Sequence, residues 1–136
     1  MKRFTKDGEV KITTQSKILD QSKYWFNSTF EDGKSTNPEE FIGTALVGCY
    51  SMYLSLLLTE ERLNLESIDT KAQITIARDD SGPNITEINL DVKVKCQGID
   101  ESKLKRLAAT TKEKWPASRS YTGGTAKISI EAQLIK

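Results

Sequence analysis

Cys49 stands in the middle of an apolar stretch, TNPEEFIGTALVGCYSMYLSLLL, running from Thr36 to Leu58. A thiol in that setting can be a packing residue, a metal ligand or a nucleophile. Free cysteine is among the most buried residue types, so core packing is the plainest reading of Cys49 taken alone. As a nucleophile it must act as thiolate, and a helix interior does not favour the thiolate as a helix N-terminus would. A reactive Cys49 therefore needs a cation brought from elsewhere in the fold. The second cysteine, Cys96, follows Val92 and Val94 at alternate positions, the pattern of one buried strand face, and reads as a structural thiol. The chain has no histidine. That removes the usual general base and the commonest metal ligand, and excludes a Ser-His-Asp or Cys-His arrangement. Zinc would have to draw four ligands from two separated cysteines and carboxylates, so no metal and no cofactor are expected.

The elements that carry these thiols can be read from periodicity and punctuation. Val10, Ile12 and the aromatic run Tyr24-Trp25-Phe26 suggest short strands in the first thirty residues, closed by a turn over 31–35. Thr36 or Asn37 caps a long helix, with Pro38 at its first position and Glu39 and Glu40 on its positive end, running to about Thr59. Phe41 to Leu58 is long enough to span a bilayer. Its Gly43, Thr44, Gly48, Ser51 and Ser55, the acids at both ends and the polar remainder of the chain argue instead for a helix buried on every side. Thr44, Gly48, Ser51 and Ser55 form one stripe of small residues, which would let a second backbone approach, in a chain this short that of a dimer partner.

Ala72, Ile74 and Ile76 alternate on one strand. A loop follows over 79–84, and Ile88, Leu90, Val92, Val94 and Cys96 alternate on the next strand, so the pair reads as an antiparallel hairpin. Asp100 caps a second helix with Ile99 as its staple and Leu104, Leu107, Ala108, Thr111 and Trp115 on one face, ended by Pro116. Gly123-Gly124 turns into a last strand with Ile128, Ile130, Ala132 and Leu134. Strands, long helix, two strands, helix, strand is an α+β order with largely antiparallel pairing, in a single domain over 1–136. The 29% of charged residues balance to a net charge of +1. Nothing in that balance points to nucleic acid or an anionic membrane. No apolar stretch follows Met1-Lys2-Arg3, and two cysteines make no disulfide scaffold, so a cytoplasmic protein with reduced thiols is expected.

Tyr24-Trp25-Phe26-Asn27-Ser28-Thr29-Phe30, Gly33-Lys34-Ser35-Thr36-Asn37-Pro38-Glu39-Glu40, Ile42-Gly43 and Gly48-Cys49-Tyr50-Ser51-Met52 together resemble the osmotically inducible protein C and organic hydroperoxide resistance (OsmC/Ohr) proteins. The resemblance continues through Ser67-Ile68-Asp69-Thr70, Gly98-Ile99-Asp100 and Trp115-Pro116-Ala117-Ser118. It implies an intertwined homodimer with bent antiparallel sheets around two central long helices. It also implies thiol-dependent reduction of organic hydroperoxides in oxidative-stress defence. In that scheme a peroxidatic cysteine becomes a sulfenic acid, a second cysteine resolves it as a disulfide, and an arginine oriented by a glutamate stabilises the charge. Carried over by position, Cys49 is the peroxidatic cysteine and Glu39 the orienting glutamate. Thr29 stands where the family has its arginine, and Trp115 where it has its resolving cysteine. Lys17, Lys23, Lys34 and Arg119 are the candidate substitute cations. The implied activity is that of a one-cysteine peroxidase whose partners are a second copy, an external thiol reductant and a small apolar hydroperoxide. The alternative is a peroxidase-inactive dimer that binds a small apolar ligand, for which Trp115 would reshape the pocket.

Overall fold

The computed structural model describes residues 2–4, 9–25, 37–121, 123–124 and 126–136. The chain divides into two compact units, Met1–Ile42 and Gly43–Lys136. In the first, β1 (Lys2–Phe4), β2 (Glu9–Ile12) and β3 (Ser22–Trp25) form an antiparallel sheet in that order. The expected turn over 31–35 and the alternative cap Thr36 lie outside the described residues.

Helix α1 (Pro38–Glu60) starts where the sequence says it should. The Glu40 N–H donates to Asn37 Oδ1 at 2.8 Å, so Asn37 is the cap, and the oxygen of this buried side chain has its partner. Leu46, Tyr50, Leu54 and Leu58, four apart, are all wholly or almost wholly buried and form one stripe along the helix. The expectation of a helix buried on every side does not hold for the single chain. Ala45 and Gly48 are exposed, and Met52 and Leu56 keep 75% and 51% of their surface. A sheet packed along one side of a helix leaves the other side uncovered, and α1 is apolar on both.

The second unit is built on β4 (Asn64–Asp79), β5 (Gly82–Gln97) and β6 (Lys127–Leu134), in that order across the sheet. β4 and β5 are joined by Asp80 and Ser81 alone, a tighter turn than the loop expected, with Gly82 at φ +119°. Their register sets up apolar rows that continue onto β6: Ile74–Ile88–Ile128, Ala72–Leu90–Ile130, Thr70–Val92–Ala132 and Ile68–Val94–Leu134. Ile88, Leu90, Val92 and Val94 are essentially inaccessible, each worth about 1.5–3 kcal/mol of burial for its size class. β6 pairs with β5 in parallel, the exception in a largely antiparallel set of pairings. A parallel neighbour needs a long crossover. Here it consists of α2 (Glu101–Lys114) and a short α3 (Pro116–Tyr121), which the sequence reading did not anticipate.

Asp100 caps α2, its Oδ1 accepting from the Lys103 N–H at 2.7 Å. At the other end Trp115 leaves the helix at φ −65°, ψ 137°. That is the extended conformation which a following proline imposes. The same Pro116 opens α3, where its missing N–H costs nothing. α1 is long and apolar enough to cross a bilayer by length and composition alone. Its Leu46–Leu58 stripe is nevertheless buried within the protein.

Candidate active site

Cys49 lies midway along α1 and is half-buried; both cysteines are free. What holds its turn of helix is the pair of residues that follow it. Tyr50 is fully buried, and its hydroxyl donates to the Ala108 carbonyl of α2 at 3.3 Å. Burial holds the phenol well above its ordinary pKa, so it stays a donor. Its ring meets Trp115 edge to face, with centroids 5.4 Å apart and planes at 90°. Such pairs add about 0.5–1.5 kcal/mol beyond area burial. Ser51, the next residue, shares a 2.8 Å hydrogen bond with the Thr70 hydroxyl on β4. The stripe of small residues is therefore divided. Ser51 faces the sheet, whereas Thr44 and Gly48 are exposed, and a Cβ added at Gly48 would meet nothing. The close approach of α1 to β4 is made by Gly43, where a Cβ would sit 3.5 Å from Ala72 and Ile74.

The other expected site residues fall as follows. Glu39 is half-buried in the first turn of α1 and makes no ion pair among the described residues. Thr29 and Lys34 lie outside the described residues. Lys17 is exposed at a positive φ, Lys23 lies in β3, and Arg119 is exposed on α3. α1 itself carries no basic residue.

Trp115 is completely buried as the C-cap of α2, so its ring completes the core between the two helices. Its Nε1–H finds no acceptor among the described residues. A buried donor left unpaired costs about 1–3 kcal/mol.

Cys96 is 8% exposed on the apolar face of β5, as its alternation with Val92 and Val94 predicted. Burial pushes its thiol up, and the Glu66 carboxylate adds to this. The two thiols are well apart. Gly43 lies against Ala72 and Ile74 and Ser51 against Thr70, so α1 runs toward Thr70 as it passes Cys49. Thr70 pairs with Val92, and Cys96 is a further four residues, about 13 Å, along the strand.

A cavity of about 600 Å³ lined by Lys71, Ala72, Gln73, Asn89, Leu90, Asp91, Ser129 and Glu131 draws most of its lining from the polar positions of this sheet, and Cys49 is not part of it. Sequence reasoning named Tyr50, Ser51 and Thr70 in the motifs but gave them no part in holding Cys49. The available signal was a tyrosine on the apolar side of a helix, since a buried hydroxyl must find an acceptor.

The OsmC-like protein profile matches residues 31–131. The peroxiredoxin OsmC of Escherichia coli K12 is 40% identical over 129 residues, covering 95% of this chain and 88% of that protein. Among solved structures, the OsmC-like protein from Mycoplasma pneumoniae superposes with a TM-score of 0.78 at 17% identity, covering 100% of this chain and 95% of that one. The organic hydroperoxide resistance protein OhrB of Bacillus subtilis gives 0.73 at 20% identity, covering 98% and 95%. On this sequence match and this shared α+β fold, the chain belongs to the OsmC family.

Proposed function

We propose that this protein is a cytoplasmic, homodimeric thiol peroxidase that reduces organic hydroperoxides through Cys49 alone. The observation that carries the reading is the contrast between the two thiols of a family member: Cys49 half-buried on α1, Cys96 buried on the sheet with its thiol pushed up. The names of its relatives, a peroxiredoxin and an organic hydroperoxide resistance protein, support the same chemistry.

The Cys49 thiolate attacks the O–O bond of ROOH. An S–O bond forms, the O–O bond breaks, and the leaving alkoxide takes a proton to give ROH. Sulfur has then lost two electrons as a sulfenic acid. With Trp115 at the family's resolving position, an external thiol R′SH condenses with it, releasing water and leaving a mixed disulfide. A second R′SH frees Cys49 as R′SSR′ departs. Glu39 keeps its place near the start of α1, where it favours the helix N-terminus whatever else it orients.

Thr29 at the arginine position predicts a modest rate, since loss of one preorganised charge-stabilising donor costs about 10²–10³-fold. Stopped-flow oxidation by cumene hydroperoxide is expected to run roughly tenfold or more above free cysteine, as positioning alone allows. It should be lost in Cys49→Ser and kept in Cys96→Ser. A Cys49 no faster than free cysteine would sink the proposal.

Dimerisation is supported by the second apolar side of α1. Gly48 has open space around it and a helical backbone, where alanine would be favoured by about 0.5–1 kcal/mol. With Ala45, Met52 and Leu56 it forms an apolar strip suited to a second copy.

A further inference from the structure

We propose that Trp115, acting through Tyr50, is a positioning residue for Cys49: the Tyr50–Trp115 contact and the Ser51–Thr70 hydrogen bond together fix the rotation of α1 and so the direction in which the thiol leaves it. This rests on the peroxidatic reading of Cys49. Consecutive residues leave a helix about 100° apart. Two successive residues, each tied to a different element, therefore prevent the helix from turning about its axis. Tyr50 is tied to α2 by its ring against Trp115 and by its hydroxyl on Ala108. Ser51 is tied to β4 through Thr70.

The remaining contacts of the buried stripe are made by Leu46, Leu54 and Leu58, whose packing has no directional partner. They resist separation of α1 from the core more than they resist its rotation. A turn of about 10° would carry an atom some 5 Å from the helix axis by nearly 1 Å. A misplacement of that size can cost about 100-fold in rate. Cys49, the residue before Tyr50, is half-buried and leaves the helix about 100° from it. The indole N–H finds no acceptor among the described residues, so the ring and not the donor is what this contact uses.

The test compares two reactions of the same thiol in the full-length protein. Attack on cumene hydroperoxide needs alignment, whereas alkylation by iodoacetamide needs far less. Trp115→Leu is expected to slow the peroxide reaction about 10- to 100-fold while alkylation changes by no more than about threefold. Trp115→Phe, which keeps an aromatic edge and drops the unpaired donor, should restore the ratio. Trp115→Met, which removes the aromatic edge facing Tyr50 but fills the site with a flexible apolar side chain, should lower it by about three- to tenfold and decides the matter if Trp115→Leu does not fold. An unchanged ratio in folded Trp115→Leu, or in Trp115→Met where Trp115→Leu does not fold, would overturn the proposal and leave the peroxidase reading intact. A wild-type thiol with no excess peroxide reactivity would remove that reading instead.

Discussion

Graded cumene hydroperoxide is expected to place one and then two oxygens on Cys49, leaving Cys96 reduced and no cross-link between them. A sulfenic acid is consumed by whichever thiol reaches it first. A disulfide needs Cα atoms within roughly 7 Å, whereas Cys96 lies about 13 Å along β5 from the strand position level with Ser51. Cys49 precedes Ser51 on a helix that is approaching that position, so it stands no nearer. Cys96 is also a poor participant in its own right, because burial disfavours its thiolate. The expected peptide map in the absence of added thiol shows Cys49 as sulfenic and then sulfinic acid, with Cys96 alkylated only after denaturation. Added monothiol should divert the first product into a mixed disulfide and suppress the second. A Cys49–Cys96 peptide with two hydrogens lost would mean that the strand thiol is the resolving cysteine after all.

The second large effect concerns assembly. Sedimentation equilibrium at low micromolar concentration should give a single species of twice the chain mass. Met52→Glu combined with Leu56→Glu should abolish it, since both side chains lie on the exposed apolar side of α1. Each unpaired carboxylate taken into an apolar interface costs several kcal/mol. Two of them raise the dissociation constant by far more than about 100-fold. Because an obligate dimer's stability depends on protomer concentration, the variant should also unfold at lower denaturant. A wild-type chain that is monomeric and stably folded at that concentration would count against the dimer and against the role given to Gly48.

Much of this was legible in the residues. Asn37-Pro38 and Asp100 mark helix starts by chemistry that acts within one turn, and both caps appear as read. The strict alternation from Ile88 to Cys96 located β5 and the burial of Cys96. Of β4 the sequence reading named only Ala72, Ile74 and Ile76, whereas the strand starts at Asn64, and its first residues are cut off from the period of two by a register shift between Leu65 and Ser67. The parallel direction of β6 was illegible for a different reason: alternation says which face is buried and nothing of which way the strand runs. On α1, apolar residues all round hid which side its own chain would cover. The ties at Tyr50 and Ser51 depend on residues 58 and 19 positions away. No local pattern encodes contacts of that span.

The parallel pairing of β5 with β6 also bears on the order of folding. β4 and β5 are joined by two residues, so the hairpin can close within microseconds of its synthesis. Its apolar face then has a bare edge, because residues 98–126 must be made before β6 exists to lie beside β5. Throughout that interval Ile88, Leu90, Val92 and Val94 sit in an open-edged ribbon, the form most prone to pair with another chain. The nascent protein is therefore at its most aggregation-prone after its longest hairpin has formed, and a chaperone that shields this edge would act there and not on the α1 segment alone.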